Sequence, residues 1–361
     1  MGNGSSTIEI AGKGVFSVNR TMGMGSFGKV HVMSTKKGES DLYALKVISK
    51  GLLLSKGSST LKLMMEERKM LSEVHSPFIV NLHFSFQDSK NLYMVLDFME
   101  GGDLQYQRRE LGGTVSEDVA KFWTANILIG LKHIQKEGVL HRDLKPDNIM
   151  LCKRGYAHLT DFNISTKVNK HGKAKGFAGT RRYMAPEIFK ITKEHSPRYG
   201  FEADVWGLGA ILFELLCGSI PIPGKSEKIT SQFIKPDDWE TNMSAVYTPP
   251  EISYPKKIPS KVQNLLKHML VPGPERWTVE QIMDHEWFKD LDWKAIEKQE
   301  VEPPFVPDFK ANCDQTYALM DCGMMEEKKR PGAGKIASDD QEQFKGWDYE
   351  VPDNYRVHYK G

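Results

Sequence analysis

The sequence has few cysteines, no long hydrophobic run and almost no net charge. Its four cysteines lie far apart without a C-x-x-C pair, which argues against a zinc site or a disulfide framework and favours the reducing cytosol. The most apolar stretch, residues 208–217, is roughly half the ~20 residues that span a bilayer, and no secretory apolar core begins the chain. The 49 basic residues nearly balance the 47 acidic ones, which gives no support for nucleic-acid binding.

The 361 residues, 40% of them hydrophobic, suffice for one large or two modest domains. β-type patterns with one helical interruption precede residue 97, and helical patterns follow residue 102. The segment between them ends in paired glycines, which suits a hinge. The predicted divisions are a leader over 1–15, a β-rich part over 16–98, a helical part over 99–288 and a tail over 289–361.

The first residues, M-G-N-G-S-S, match the N-myristoylation pattern with Gly2 as the acceptor. A disordered glycine and serine leader is the alternative interpretation. Only one lysine and no cysteine lie within residues 1–15, so a second membrane signal is missing. A single acyl chain gives an association constant of about 10⁴ M⁻¹, so we expect a cytoplasmic protein with reversible membrane contact at most.

Two features near the N-terminus suit phosphate binding. Gly23, Gly25 and Gly28 form a G-x-G-x-x-G between β-rich stretches, whereas a dinucleotide site would place it before a helix. Farther on, strand alternation in Y-A-L-K-V-I puts Lys46 on the same face as Ala44. A lysine among apolar neighbours needs an anion, and an exposed strand lysine is the alternative.

The anion expected for Lys46 is Glu67. Apolar residues at helical spacing place this carboxylate in an apolar stripe. Those residues are Leu63, Met70, Leu71 and Val74. Burying Glu67 unpaired would cost several kcal/mol, so the sequence predicts an ion pair, with a surface carboxylate as the alternative.

The most specific block is residues 140–148, L-H-R-D-L-K-P-D-N, an H-R-D-x-x-x-x-N loop. The triplet D-F-N follows at residues 161–163. Three more motifs come in the order of one family: G-T at 179–180, A-P-E at 185–187 and D-V-W-G-L-G at 204–209. Chance co-occurrence is negligible, and residues 16–288 resemble the eukaryotic protein kinases.

The resemblance implies an α+β, bilobal kinase fold with a small β-rich N-lobe that holds one key helix, a larger mainly α-helical C-lobe and a C-terminal tail. It implies transfer of the γ-phosphate of ATP to protein hydroxyls with Mg²⁺ as cofactor. Lys145, two residues after Asp143, resembles the serine/threonine branch. The implied partners are therefore proteins with serine or threonine acceptors, and we expect a monomer.

The resemblance also assigns roles in phosphoryl transfer. Asp143 would orient the substrate hydroxyl and accept its proton, Lys145 would neutralise the moving phosphoryl group, and Thr180 would brace both. Asn148 and Asp161 would supply oxygen ligands for Mg²⁺.

The remaining implied positions bind the nucleotide or stabilise the fold. The glycines and Lys46 would hold the ATP phosphates, with Glu67 positioning the lysine. The expected structural residues are Glu187, paired with Arg276, and Asp204. The adenine and ribose contacts would be Met22, Val30, Ala44, Leu96 at the gatekeeper position, Asp97, Met99, Asp103, Met150 and Thr160. Packing alone would also make most of these adenine positions apolar.

Three features resemble the AGC group of kinases. They are Phe78, the P-P-F-V-P element at 303–307, and the tail aromatics Phe344, Trp347 and Tyr349. The tail aromatics are similar to the AGC hydrophobic motif, which docks beside the helix with the buried glutamate; packing staples are the alternative. Asp348 stands where that motif usually has a phosphorylatable residue, so a fixed charge would replace a regulated one.

Two departures from the AGC pattern are informative. Asn163 replaces the glycine of D-F-G, and Arg181 and Arg182 replace the usual Pro-Glu after G-T. The D-F-N triplet, the candidate acylation site and the AGC-like core resemble the YANK subfamily. Asparagine tolerates left-handed backbone, so it can take the place of glycine, and we hypothesise that it restricts the flip of the triplet.

Residues 164–180 have few hydroxyl groups that could be regulated. The acceptors are Ser165, Thr166 and Thr180, and none lies near residues 175–176, the usual regulatory position. We therefore predict activity without phosphorylation of this loop. Substrate preference stays open, because acidic and basic residues resembling peptide-reading groups counterbalance one another. They are Asp103, Asp147, Glu214, Arg108, Arg109, Arg181 and Arg182.

A nucleotide-binding pseudokinase scaffold is the competing hypothesis. Such a protein usually lacks one of the catalytic groups, whereas here only the glycine of D-F-G is replaced. A small-molecule kinase would not be expected to contain the A-P-E motif at 185–187.

Overall fold

The computed structural model describes residues 6–10, 14–25, 28–35, 42–189, 198–221, 258–308 and 336–352. They fall into two compact units. Unit 1 comprises Met1–Gly102, Leu151–Arg154 and Val306–Gly361, and unit 2 comprises Asp103–Met150 and Gly155–Phe305, within the limits of the described residues. The first division follows Gly102, at the end of the predicted hinge.

Unit 1 is built on a seven-stranded antiparallel sheet in the order β1-β2-β3-β4-β6-β5-β11. Its strands are β1 (Ser6–Ile10), β2 (Gly14–Gly25), β3 (Gly28–Thr35), β4 (Leu42–Ser49), β5 (Leu82–Gln87), β6 (Asn91–Asp97) and β11 (Tyr349–Glu350).

Alternation along the strands separates two faces of the sheet. Leu45 and Val95 are fully buried with Phe16 and Met33 in one hydrophobic cluster. Lys46, next to Leu45 in the chain, belongs to the opposite face. The predicted placement of Lys46 on one face of β4 with Ala44 follows from this period of two.

Two helices, α1 (Lys50–Ser55) and α2 (Ser58–Glu73), follow β4. The buried face of α2 includes Met64, Glu67, Met70 and Leu71, so Glu67 lies in the apolar stripe. The prediction was wrong for Leu63, which is 43% exposed. A helix turns about 100° per residue, so Leu63 at i−4 lies closer to Glu67 around the helix than the buried Met64 at i−3 does. The exposure of Leu63 therefore depends on what packs against that turn of α2 and not on helical periodicity.

The tail adds the last strand to this sheet. After α10 (Ser338–Glu342), Phe344 and Trp347 are fully buried, and Tyr349 pairs with Ser85 as β11 joins β5. Ser85 Oγ donates to the Trp347 carbonyl at 2.5 Å. Backbone pairing and aromatic burial together hold the tail on unit 1.

Unit 2 is mainly helical. Its helices are α3 (Leu104–Glu110), α4 (Glu117–Lys136), α5 (Pro186–Phe189), α6 (Glu202–Cys217), α7 (Ser260–Met269), α8 (Val279–Met283) and α9 (Trp293–Glu297). Two small sheets pair β7 (Val139–Leu140) with β10 (Thr166–Lys167), and β8 (Ile149–Leu151) with β9 (Ala157–Leu159).

The two longest helices of unit 2 pack against each other. Ser116 caps the start of α4 by accepting from Val119 N. Helix α6 is buried on almost all sides, and left-handed Gly218 ends it. No helix among the described residues is long and apolar enough to cross a bilayer.

The stretch after α9 returns across unit 2. Phe305 packs edge-on against Trp123 of α4, with ring centroids 5.7 Å apart. Gly155 approaches the Phe305 carbonyl so closely that a Cβ would lie 2.0 Å from that oxygen. This packing assigns the residues up to Phe305 to unit 2 and those from Val306 onward to unit 1.

Candidate active site

The loop that carries Asp143 is held by a buried carboxylate of α6. Asp204 Oδ2 accepts from His141 N at 2.8 Å, and its Oδ1 accepts from Arg142 N at 2.9 Å. Arg142 has left-handed backbone, with φ of 70°. Burial raises the pKa of Asp204, although the two backbone hydrogen bonds and nearby positive charge oppose the rise.

His141 connects this loop to the strand before Asp161. Its Nε2 lies 3.0 Å from Thr160 O, and its Nδ1 accepts from Asp143 N at 3.3 Å. A carbonyl can only accept, so Nε2 donates to Thr160 O. Phe162 is buried beside the same ring, with centroids 5.0 Å apart.

Both carboxylate oxygens of Asp143 are hydrogen-bonded. Thr180 donates to Oδ1 through its backbone N at 2.7 Å and its Oγ1 at 2.6 Å. Lys145 Nζ and Asn148 Nδ2 each lie 3.0 Å from Oδ2. The structure therefore brings together Asp143, Lys145, Asn148 and Thr180.

These contacts set the charge of Asp143. Burial would raise the pKa of its carboxyl, but hydrogen bonds from Thr180 and Lys145, together with the lysine charge, lower it below the usual value. The group is therefore ionised at neutral pH and can accept a hydroxyl proton.

Asn148 and Asp161 offer oxygen atoms that fit Mg²⁺. Asn148 Nδ2 donates to Asp143 O at 2.9 Å as well as to Oδ2, which turns its carbonyl Oδ1 away from Asp143. Asp161 has φ of 63°, a conformation that costs a non-glycine residue about 1–3 kcal/mol. Amide and carboxylate oxygens are hard donors, and Mg²⁺ takes only one or two protein carboxylates, with phosphates and water completing its shell. The described residues contain no cluster of three or more His, Cys, Asp or Glu that would instead form an all-protein metal cage.

The triplet D-F-N has left-handed backbone at its first residue. Asp161 has positive φ, whereas Asn163 is not among the described residues with that backbone. The tolerance of asparagine for left-handed backbone is therefore not used in this conformation. Whether Asn163 restricts the flip of the triplet stays a prediction.

Unit 1 places its predicted residues on neighbouring strands. Lys46 Nζ donates to Glu67 Oε1 at 2.8 Å, and the Glu67 side chain is 3% exposed. The strand register pairs Val30 with Lys46, and Ala44 with Leu96. Met22 is half-buried on β2, one residue before Gly23, which pairs with Val30.

Several residues predicted to contact the nucleotide also make contacts that stabilise the fold. A Cβ at Gly28 would lie 1.7 Å from Val47 O, so close strand approach alone requires this glycine. The Asp97 carboxylate is 2.7 Å from His83 Nε2 and accepts from Asn81 N at 2.8 Å. The Asp97 side chain therefore stabilises unit 1. Met99, two residues farther along the chain, is also buried.

The predicted nucleotide contacts of unit 2 lie within or next to short helices and strands. Asp103 caps α3 by accepting from Tyr106 N at 2.7 Å, and it forms an antiparallel bridge with Met150. Thr160 N donates to Asn148 O at 3.0 Å.

Arg276 and Glu187 form a bidentate pair, with Nη1–Oε1 at 2.7 Å and Nη2–Oε2 at 3.1 Å. Arg276 is fully enclosed and also donates to Val271 O and Glu202 O. The pair fixes the A-P-E motif to the segment before α8.

A buried lysine that the sequence analysis did not identify contacts the C-terminal tail. Lys50 Nζ donates to Gln341 Oε1 at 2.6 Å and to Asp88 O at 2.8 Å, and lies 4.8 Å from the Phe344 ring centroid. Burial lowers the pKa of Lys50, and the charges of Asp88 and Asp348 partly offset this. The position of this lysine directly after a buried strand was the signal that the sequence offered. Its partner lies 291 residues away in sequence, so no local pattern pointed to the pairing.

The other tail aromatics contact β5, β6 and the end of α2. Trp347 Nε1 donates to Tyr93 O at 3.1 Å. Tyr349 OH lies 3.4 Å from His75 Nε2, just beyond α2, and Arg68 of α2 donates to Gly346 O.

Two residues that hold the 164–180 loop were also missed. Arg142 Nε donates to Ile164 O at 2.5 Å, and its Nη1 donates to Lys175 O at 3.3 Å. The backbones of Ala174 and Tyr199 exchange hydrogen bonds of 2.7 and 3.2 Å. The position of Arg142 beside Asp143 was a signal, whereas nothing local in sequence pointed to Tyr199.

Comparison with known families identifies this arrangement. Residues 16–288 match the protein kinase domain family. The chain belongs to the protein kinase family. The expected α+β, bilobal kinase fold is thereby confirmed, with a β-sheet N-lobe and a helical C-lobe. Kinases of this family use ATP and Mg²⁺, which agrees with the oxygen donors of Asn148 and Asp161.

Relatives of this kinase include proteins from plants and animals. Serine/threonine-protein kinase AtPK1/AtPK6 of Arabidopsis thaliana is 35% identical over 84% of this chain and 63% of its own length. Ribosomal protein S6 kinase 2 beta of Xenopus laevis is 34% identical over 95% of this chain and 52% of its own length. Ribosomal protein S6 kinase alpha-1 of Homo sapiens is 33% identical, over 92% and 44% respectively. The chain thus spans less than two thirds of the length of these relatives.

The variant Lys46→Met tests the pair in unit 1. We expect it to lower the free energy of unfolding by about 3 kcal/mol, because it leaves the Glu67 charge buried without its lysine. The double variant Lys46→Met/Glu67→Leu should recover most of that loss. Urea denaturation of the purified chain measures both.

The control is Lys62→Met, which breaks an exposed ion pair of 3.9 Å with Glu66. It should change the free energy of unfolding by less than about 0.5 kcal/mol. Equal losses in the single and double variants at Lys46 would contradict a stabilising ion pair with Glu67.

Proposed function

We propose that this chain is an AGC-type serine/threonine protein kinase that transfers the γ-phosphate of ATP to protein hydroxyls and acts in signalling. The main support is the environment of Asp143, whose oxygens are held by Thr180 on one side and by Lys145 and Asn148 on the other. The relatives named as serine/threonine-protein kinases support the choice of acceptor.

The reaction follows from these groups. The acceptor oxygen forms a bond to the γ-phosphorus, the bond from that phosphorus to the ADP oxygen breaks, and the hydroxyl proton passes to Asp143. Lys145 places a positive charge beside the moving phosphoryl group. When bound, Mg²⁺ would supply positive charge that neutralises the phosphates. Asn148 and Asp161 would hold it, and Lys46, positioned by Glu67, would hold the phosphates from unit 1.

Finer features of the proposal rest on sequence. The D-F-N triplet at 161–163, the candidate myristoylation site and the AGC-like core favour the YANK subfamily. Gly2, outside the described residues, would be the myristoylation site of a cytoplasmic monomer with reversible membrane contact.

The variant Asp143→Asn tests the proposed reaction. We expect kcat for a serine peptide to fall about 10²- to 10⁴-fold, because the proton acceptor is lost. Nucleotide affinity should stay within about threefold, a change of less than about 0.7 kcal/mol, since Asp143 is not assigned to nucleotide binding. Transfer of labelled phosphate from Mg-ATP and equilibrium nucleotide binding measure the two quantities.

The matched control is Asp284→Asn, an exposed aspartate after α8. It should leave kcat unchanged. If the wild-type chain binds nucleotide but phosphorylates no protein or peptide hydroxyl, the pseudokinase hypothesis replaces this one.

We also propose that the kinase is active without phosphorylation of residues 164–180. Arg142 is already bound to two loop carbonyls, and Tyr199 OH donates to Gly176 O at 2.8 Å. Lys173 pairs with Glu202 at 2.5 Å. Hydrogen bonds to three loop carbonyls and one ion pair thus hold the loop where a phosphate would otherwise be needed.

The hydroxyls of this loop support the same proposal. Ser165 is buried and donates to His141 O at 3.1 Å, and Thr180 is bound to Asp143. Thr166 is the remaining acceptor.

Phosphatase treatment should therefore leave kcat/KM unchanged, as should Thr166→Ala, because neither removes a contact that holds the loop. Peptide kinase assays with phosphosite mapping by mass spectrometry measure this. Loss of activity together with loss of a phosphate from residues 164–180 would contradict the proposal.

A further inference from the structure

Glu214 of α6 is a buried carboxylate whose two oxygens are both engaged. Its Oε1 lies 3.3 Å from Arg108 Nη2, and its Oε2 accepts from Tyr183 OH at 2.6 Å. The Glu214 side chain is 3% exposed. Burial and this carboxylate raise the pKa of Tyr183, so the phenol stays protonated and donates.

Arg108 is itself held in place by groups of α3 and the following turn. Its Nε and Nη2 donate to Gln105 Oε1 at 3.2 and 2.9 Å, and its Nη1 donates to Gly113 O at 2.8 Å. A guanidinium with this many partners is fixed before any ligand arrives. Glu214 is therefore paired with a cation of the protein itself, which weakens its attraction for a basic side chain of a substrate.

Tyr183 connects the neutralised carboxylate to the catalytic group. It ends a 3₁₀ turn, Arg181–Tyr183, which directly follows Thr180. Thr180 in turn binds Asp143. Arg181 and Arg182, both exposed, lie between these two anchors. Two positive charges are thereby placed within one turn of the group that accepts the substrate proton.

Other charged residues of unit 2 nearby in the chain leave this balance positive. Arg109 is exposed on α3. Asp103 is half-buried and occupied as the cap of α3. Asp147 is the exposed carboxylate of the catalytic loop. Glu110, which follows Arg109 on α3, is also exposed, so two exposed acidic residues accompany three exposed arginines.

We propose that Arg108 and the pair Arg181 and Arg182 determine peptide specificity, so that this kinase selects acceptors flanked by acidic residues rather than by arginine. The proposal rests on the proposed kinase function. Arg108 pairs with Glu214 and so competes with a substrate arginine for this carboxylate. Arg181 and Arg182 attract aspartate and glutamate of the substrate.

Peptides of one length test this on the dephosphorylated full chain. A central serine is flanked by aspartate, by arginine or by uncharged residues, and kcat/KM is measured for each with Mg-ATP. We expect the acidic peptide to exceed the arginine peptide about tenfold, the effect of one charge-assisted contact. Equal or higher kcat/KM for the arginine peptide would overturn the proposal. Failure to phosphorylate any of the three, including the uncharged one, would instead count against the kinase function.

Variants separate the roles of the arginines. Arg181→Ala/Arg182→Ala should reduce the acidic preference to about twofold or less, since each lost contact is worth up to about tenfold. Lys289→Ala, an exposed cation outside this cluster, should leave the preference unchanged. An acidic preference that survives the double alanine variant would overturn the role of this pair.

Arg108→Gln should expose the charge of Glu214 and raise kcat/KM for the arginine peptide about tenfold. Arg108→Gln/Glu214→Gln, which leaves no buried charge, should show no such gain and is the matched control. If the single variant does not fold, the double variant decides: it should keep the wild-type preference against arginine peptides. Loss of that preference in the double variant, or no gain in a folded single variant, would overturn the role of Arg108.

Discussion

The rest of the site depends on two hydrogen bonds that Asp204 accepts from consecutive backbone N–H groups. They hold the strained backbone of Arg142 and direct the next residue, Asp143. A carboxylate this deeply buried is costly unless its oxygens are satisfied, and the two N–H groups satisfy them. Helix α6 provides a rigid base, because it is buried on almost every side.

The same constraint extends through the loop after D-F-N. Gly179 passes so close to Arg142 that a Cβ would lie 2.6 Å from the Arg142 carbonyl, and its φ of 121° also favours glycine. The chain then reaches Thr180, which binds Asp143 twice. Loop position, proton acceptor and the exposed arginines are therefore linked through one short path of backbone. Substitutions in any part of this path should alter the position of the Asp143 carboxylate.

The sequence could predict the groups that act but not all of their partners. Resemblance to the protein kinases located Asp143, Lys145 and Thr180, because phosphoryl transfer restricts which residue types can occupy those positions of the family's motifs. Helical periodicity placed Glu67 in an apolar stripe but misplaced Leu63, since the width of a buried face depends on what packs against it. The residue with left-handed backbone in D-F-N could not be chosen from propensity, because tertiary contacts decide it.

Long-range polar contacts were the least accessible to sequence reasoning. Arg108 and Glu214 lie on different helices, and Lys50 meets Gln341 across most of the chain. Charge counts alone left the substrate preference undecided, because they cannot tell a neutralised carboxylate from an available one. Geometry makes that distinction, since it shows which oxygens are already engaged.

Hydrogen exchange in Asp204→Asn is the most direct measurement of the central claim. Asparagine keeps the size of the side chain but replaces one acceptor oxygen with a donor that opposes a backbone N–H. Mass spectrometry should find exchange in residues 139–145 at least about tenfold faster than in the wild type, with exchange in α4 unchanged, because only the local anchor is lost. Unchanged protection of residues 139–145 would contradict the claim that Asp204 organises the site.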